Sequence, residues 1–375
     1  MLVPPKRKAV YLVTATHLLE SFCRSSSSPT ISGIDLVVCE NLEQLNPSYE
    51  LAVSLLRHAT QSYSTRFIGI SNSLNDPDDL ADWLAADSYA LHSFKPRDRD
   101  QSLAVNISTI SIPYSSSFIK ALAKPAYSVI KRAGTAIVFV PHKGHCQTVA
   151  LDLLTQSALE VGSTRGFLPS TVSDDNFDVF LHQLQNSQYY DFVSKGIGFF
   201  HDGIAREEQN TMLQLFAEGV LRVLIVPRDA CWTVPVRAEV VVVLGCQYLQ
   251  PGSGGTDRQI RDYELTEVTH MQGRAVRQFG AGTFHLFCQP EAKDTYIRFL
   301  NDGLPLESSL LESPELEKWL KSRSSFNEQQ VVDALSFTYL ARRVESNPSY
   351  YDCSSDENIS QLVEALLTRI RANEN

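Results

Sequence analysis

The chain has 375 residues, 43% hydrophobic and 20% charged, which is the composition of a globular protein with room for two or three domain cores. Its formal net charge of −10 repels a phosphate backbone and disfavours a general nucleic-acid binder. Seven cysteines at 23, 39, 146, 231, 246, 288 and 353 make no C-x-x-C pair, against a disulfide framework or a zinc site, and no apolar run reaches the ~18 residues of a membrane span.

At the N-terminus, Lys6-Arg7-Lys8 reads as a solvated terminus rather than an import patch. No signal-peptide pattern is present, so the expected compartment is cytosol or nucleus. Residues 10–14 and 34–38 are short apolar runs, separated by a helical stretch and a loop from Ser25 to Pro29. Apolar runs alternating with helices predict parallel strands buried on both faces. Phe67-Ile68-Gly69-Ile70 is a third strand, followed by Ser71-Asn72-Ser73 and a helix over 77–86. Asp76 is expected to cap that helix, with Pro77 at its first position. Residues 95–100 read as an inter-domain linker.

A second series follows. Strands are expected at 136–140, 197–201, 223–226, 240–244 and 283–288, with helices at 144–160 and 205–218. Leu213 and Phe216 are placed on the apolar face of the latter. Residues 162–178 read as a polar loop, and the glycine-rich stretch 250–255 is too irregular to cradle phosphate. The βα alternation predicts a mostly parallel, doubly wound α/β sheet. From about 297 the pattern is helical, with periods at 315–321, 328–342 and 359–370, and a separate helical domain is expected.

The chemistry-bearing positions are few. No glycine is followed by lysine, so the phosphate cradle G-x-x-x-x-G-K-[ST] is absent from this chain. The strand at 34–38 ends in Cys39-Glu40-Asn41-Leu42, where a metal-holding carboxylate belongs. Glu40 is the carboxylate there, and a thiol is a poor ligand for Mg²⁺, so Cys39 reads as a small buried residue. In Gln272-Gly273-Arg274-Ala275-Val276-Arg277, two arginines at i and i+3 of a helix point the same way, opened by a glycine. Such a pair can grip phosphates and neutralise charge on a transferred phosphoryl group. The competing reading is a structural salt bridge to Asp229 or Glu267. His142 and His145 lack a third ligand and read as surface histidines. Trp232 is read as a buried aromatic, with base stacking as the alternative. Lys195, Arg206 and Arg222 make no basic stripe.

Taken together, four segments resemble successive motifs of the second RecA-like domain of superfamily-two, Ski-two-like RNA helicases. They are Gly196-Ile197-Gly198-Phe199-Phe200-His201-Asp202-Gly203, Arg222-Val223-Leu224-Ile225-Val226, Cys231-Trp232 and the segment from Gln272 to Arg277. Upstream, Leu12-Val13-Thr14-Ala15-Thr16 resembles the strand-plus-"TP" motif of the first domain. Cys39 to Leu42 stands at its "DEVH" position and Ser71-Asn72-Ser73 at its "SAT" position. Downstream, Gly303 to Ser308 and Arg342 to Tyr351 resemble the winged-helix region.

The resemblance implies an α/β fold of RecA-like parallel sheets. It comprises part of a first domain over 1–95, a complete second domain over 96–296, and a mainly helical winged-helix domain with the start of a following helical region over 297–375. In the family the cofactors are ATP and Mg, and the resemblance assigns Gly273, Arg274 and Arg277 to the nucleotide. Arg274 and Arg277 become arginine-finger-like and Glu40 a remnant of the second motif. The match narrows to the C-terminal cassette of two-cassette helicases of the spliceosome, with that of the activating signal cointegrator complex as the competing group. This implies a nuclear protein whose partners are spliceosomal proteins and the rest of the helicase, with weak RNA binding and no membrane.

The sequence departs from the pattern at Cys39 for Asp, Leu42 for His, Thr233 for Gly, Pro235 for Asn, His270 for Gln and Val276 for Gly. The chain also begins after the phosphate loop would have ended, and is expected to be a fragment with an exposed sheet edge. These features predict a non-catalytic cassette that serves interaction and regulation, to which the sequence assigns no bound cofactor. The rivals are an ATP-dependent RNA helicase whose phosphate loop lies upstream, and a nucleic-acid-binding module, which the acidic balance opposes.

Overall fold

A computed structural model of the chain describes residues 8–24, 31–98, 102–161, 165–170, 177, 180–181, 184, 188–251, 258–322, 328–353, 361 and 368. The chain forms two compact units, one of Met1–Pro96 with Asp302–Asn375, the other of Arg97–Asn301. Among the described residues no helix is long and apolar enough to cross a membrane.

In the first unit, helix α1 (Ala15–Arg24) is followed by strand β1 (Leu36–Cys39), helix α2 (Pro47–Thr60) and strand β2 (Arg66–Gly69). β1 and β2 pair in parallel from Leu36 opposite Arg66 to Cys39 opposite Gly69. Residues 10–14, expected as a strand, are not one: Val10 is 100% and Leu12 103% exposed, and no described strand supplies a ladder for them. An apolar run without a hydrogen-bonded neighbour has nothing to hold it as a strand. Sequence reading also overlooked α2. Asn46 caps it by accepting from the Tyr49 amide at 2.9 Å, Pro47 opens it, and Leu51, Ala52, Leu55, Leu56 and Ala59 enter the core.

Helix α3 spans Asp78–Trp83, shorter than the expected 77–86. Pro77 stands at the cap position without a side-chain bond, and Asp76 turns to Arg343 instead of capping. The helix stops because Ala85 takes a left-handed φ of 54°. The Ala86 amide then bonds the Ala81 carbonyl at 2.9 Å and the Ala85 amide the Asp82 carbonyl at 3.0 Å, a Schellman closure with alanine in the usual glycine place.

The second unit is built on one six-stranded parallel sheet. In chain order its elements are β3 (Leu103–Thr109), α4 (Ser116–Ala121), α5 (Ala123–Ile130), β4 (Ala136–Val140), α6 (Cys146–Val161), α7 (Tyr190–Val193), β5 (Ile197–Phe199), α8 (Arg206–Ala217), β6 (Val223–Pro227) and β7 (Val240–Leu244). The hairpin β8 (Gln247–Pro251) and β9 (Arg258–Asp262), helix α9 (Leu265–Gly273), strand β10 (Gly282–Cys288) and helix α10 (Lys293–Asp302) complete it. The sheet order is β3-β10-β7-β4-β6-β5. The central strands β4, β6 and β7 are buried at every position, as continuous β-branched and apolar runs covered on both faces must be.

On α8 the buried set is Met212, Leu215 and Phe216, while Leu213 is only half-buried at the rim of the core. Gln250 and Pro251, read from sequence as the start of a glycine-rich loop, belong to strand β8, which pairs antiparallel with β9. Residues 252–255 of that loop, most of the expected loop at 162–178 and most of the expected helix at 359–370 lie outside the described residues.

The remainder of the first unit is helical: α11 (Pro314–Ser322), α12 (Glu328–Leu335) and α13 (Tyr339–Ser346). The single helix expected over 328–342 is broken before Tyr339. Thr338, in extended backbone, caps α13 by accepting from the Ala341 amide at 3.2 Å. Leu316, Trp319, Leu320, Val331, Leu340 and Val344 share one hydrophobic cluster with Leu19, Phe22, Leu51, Leu55 and Leu56. Polar ties reinforce it. Buried Arg343 donates through Nε to Glu307 at 3.0 Å and pairs with Asp79 and Asp76. The Glu307 bonds, with those of Asp79, hold the guanidinium well above its usual pKa against the opposing effect of burial.

Candidate functional site

The end of β1, where the sequence reading looked for a metal-holding carboxylate, packs a buried thiol and a buried leucine beside two glutamates. Cys39 is buried, and burial pushes its thiol up to about 11, against a smaller lowering by a bond to Tyr49, so it is protonated at neutral pH. Glu40 is exposed, and its backbone carbonyl accepts from the Tyr49 hydroxyl at 2.8 Å. The chain then turns through Asn41 at φ 54°, and Leu42 is fully buried. A Cβ on Gly69 would come within 2.8 Å of Leu42 Cδ1, which shows how tightly Leu42 packs against β2.

The buried carboxylate here is Glu43, which sequence reading missed. It accepts from the Asn72 amide and from Asn72 Nδ2, both at 3.1 Å, and from Ser71 Oγ at 3.3 Å. It therefore ties the second-motif segment to Ser71-Asn72. An acidic residue flanked by Leu42 and Leu45 was the available signal.

In the second unit, Glu264 and Glu267 form a capping box at the start of α9. Glu267 Oε2 accepts from the Glu264 amide at 3.0 Å, while Oε1 pairs with Arg228. Arg228 in turn lies 3.8 Å from the centroid of the Tyr248 ring. Burial raises the pKa of Glu267 and Arg228 counters it. Glu267 is thus committed to Arg228, not to either arginine of the candidate pair.

Arg274 and Arg277 are not on a helix, contrary to the i, i+3 expectation. Helix α9 ends at Gly273, with Arg274 at its C-cap and Arg277 in the segment beyond. The reason lies in the backbone. The Arg274 carbonyl accepts from the Ala238 amide at 2.9 Å, and the Ala275 carbonyl passes 1.8 Å from where a Cβ on Gly282 would stand. The chain is being handed to the sheet, and only glycine at 282 admits that approach.

Both guanidinium groups are half-buried. Burial, and then Arg237, lowers the pKa of Arg274. Arg277 donates from Nη2 to the Ala281 carbonyl and lies against Gly280, which is at φ 82°. The Nε atoms of both arginines are buried without a hydrogen-bond partner, and neither arginine makes an ion pair among the described residues. A Cβ on Gly273 would meet nothing within 4 Å, so the space beside it is open. Gly273, Arg274 and Arg277 therefore share one segment with uncommitted donors, while Glu40 belongs to the other compact unit.

Trp232 is half-buried against His270, ring centroids 4.2 Å apart. His142 Nδ1 accepts from the Gly144 amide at 3.0 Å and caps a short turn. His145 is half-buried, its pKa lowered by burial and then by His142. Among the described residues no cluster of three His, Cys, Asp or Glu side chains can hold a metal ion.

The six-stranded parallel sheet flanked by helices is a RecA-like α/β fold. The crystal structure of the E. coli DExH-box NTPase HrpB shares the fold, with a TM-score of 0.51 and 16% identity over 94% of this chain and 46% of that one. No family model matches the sequence. Its homologues are DExH-box RNA helicases, including the 200-kDa helicase of the U5 small nuclear ribonucleoprotein. Arabidopsis thaliana DExH12, a DExH-box ATP-dependent RNA helicase, is 30% identical over 345 residues, 88% of this chain and 16% of its own. The Homo sapiens U5 200 kDa helicase is 28% identical over 357 residues, 90% and 16%. The pre-mRNA-splicing factor brr2 of Schizosaccharomyces pombe is 26% identical over 370 residues, 92% and 16%. The chain spans about a sixth of the length of these relatives.

Proposed function

We propose that this chain is a non-catalytic pseudo-helicase cassette that acts in pre-mRNA splicing, in the nucleus, as a protein-interaction and regulatory module. The observation that carries the reading is the closed strand end of the first unit. Cys39 is a protonated, buried thiol, Leu42 fills the neighbouring position, Glu40 faces solvent, and the buried carboxylate Glu43 is occupied by Ser71 and Asn72. Mg²⁺ requires oxygen ligands in a near-octahedral set, and the buried carboxylate here, Glu43, is already bonded to Ser71 and Asn72.

Surfaces suited to partners support the same reading. Leu249 and Ile260 stand directly opposite each other on the β8–β9 hairpin and are 44% and 52% exposed. A cross-strand apolar pair left in solvent fits a protein contact. The partners we propose are spliceosomal proteins and the remainder of the helicase.

A second reading is favoured by one observation: the buried, unsatisfied Nε atoms of Arg274 and Arg277 beside open Gly273. Uncommitted guanidinium donors fit an anionic ligand, and in an ATP-dependent RNA helicase that ligand is ATP. The two readings separate on RNA-stimulated ATP turnover in the protein as it occurs, with Arg277→Ala as the variant. The first expects no turnover attributable to this cassette and no change in the variant. Turnover that Arg277→Ala abolishes establishes the second.

A further inference from the structure

Glu50, on the first turn of α2, is only 1% exposed. Its two oxygens face two different pieces of the distal part of the same compact unit. Oε2 accepts from Ser308 Oγ at 2.7 Å, and Oε1 from the Leu340 amide, on the first turn of α13, also at 2.7 Å. Residues 258 and 290 positions away are thereby fastened through one side chain.

We propose that Glu50 is a proton-operated latch: protonated, it fastens α2 to Ser308 and to the start of α13, and on ionisation it loosens that junction. The geometry accommodates the neutral acid. Oε1 still accepts from the Leu340 amide, and a protonated Oε2 donates to Ser308 Oγ. The ionised form keeps its acceptors but places a full charge in a buried junction with no uncommitted cation among the described residues.

The charged and titratable groups around it bear this out. From the 307–308 segment comes Glu307; from α13, Tyr339 and Arg343; from beyond α13, Tyr351, whose hydroxyl accepts from the Ser308 amide at 2.8 Å and donates to Glu307 at 2.9 Å. Arg343 is bound to Glu307, Asp79 and Asp76 and has no donor turned to Glu50. Burial pushes the Glu307 carboxyl up, but the bonds from Arg343, Asn347 and Tyr351 outweigh it and leave it below its usual value. Tyr339 and Tyr351 are raised by burial, and Arg343 is raised. None of these changes charge between about pH 5 and 8.

Glu50 does. Burial pushes its carboxyl up from 4.5 to about 7, against the smaller lowering by Ser308 and Leu340. A folded-state value above the unfolded one means that the contribution is complete below 4.5 and is lost as pH rises through about 7. His58, two turns along α2, is lowered chiefly by burial, so its contribution runs the other way, growing as pH rises towards 6.5. A comparison at Glu50 alone separates the two.

The test is amide hydrogen exchange of α13 in the full chain between about pH 5 and 8, corrected for intrinsic rates. In the wild type the opening constant at Leu340 is expected to rise by roughly one to two orders of magnitude across that range. Glu50→Gln, whose amide supplies one acceptor and one donor, is expected to reduce the rise at least tenfold. Should that variant not fold, Ser308→Ala removes a bond that lowers the Glu50 pKa and is expected to move the transition to higher pH. A pH-independent wild type, a Glu50→Gln chain that keeps the wild-type slope, or a Ser308→Ala transition that does not move overturns the proposal.

Discussion

At the end of β1, Cys39 and Leu42 are buried while the carboxylates beside them are either exposed or already bonded. Glu43, one position on, has its carboxylate held by Asn72 and Ser71. The same logic of committed charge applies to Arg343, whose guanidinium neutralises Glu307 and Asp79 in a buried setting. Arg343→Ala leaves both carboxylates facing each other without a cation, and is expected to cost about 3–5 kcal/mol of unfolding free energy, read from a denaturant midpoint. Because Glu307 is held below its usual pKa, this contribution is present above about pH 4.5 and lost as acid protonates the group. Arg274 and Arg277 could be singled out as candidates from sequence, since they stand in an ordered set of motifs. Their surroundings were not. Nothing in the spacing says that Glu267 is taken by Arg228, or that the segment leaves its helix at Gly273.

Elements were legible where local pattern decides them. The buried strands at 136–140, 223–227 and 240–244 are unbroken apolar runs, and the structure has them as β4, β6 and β7. Elements fixed by partners were not legible. β3 alternates weakly and is an edge strand, defined by its pairing with β10 from Leu103 opposite Gly282 to Thr109 opposite Cys288. Residues 10–14 show the converse, an apolar run without a ladder. Helix ends depend on single residues. Ala85 carries a left-handed φ that a Cβ disfavours. Ala85→Gly is expected to stabilise the first unit by about 0.5–1 kcal/mol, seen as a higher melting temperature. Thr338 caps α13 where the sequence reads as continuous helix, and Thr338→Ala is expected to cost about 1 kcal/mol in the same measurement. An unchanged or raised melting temperature in that variant contradicts the capping assignment.

At the scale of the whole molecule, the chain order does not follow the packing. The helices after Asp302 share their core with residues before Pro96, and the long parallel sheet lies between them in sequence. Helical periodicity announces α11 and α12 but cannot say which apolar face meets α2. The RecA-like character of the sheet was legible, because βα alternation and the motif order are one-dimensional features. The loss of catalysis we propose rests on three-dimensional ones: a protonated thiol, a filled strand end and a carboxylate already bonded. The most direct measurement is RNA-stimulated ATP hydrolysis by the intact protein in which this cassette occurs, with and without Arg277→Ala. The account predicts that the variant hydrolyses ATP at the wild-type rate, because this cassette contributes none of it; a turnover that falls tenfold or more in Arg277→Ala contradicts it.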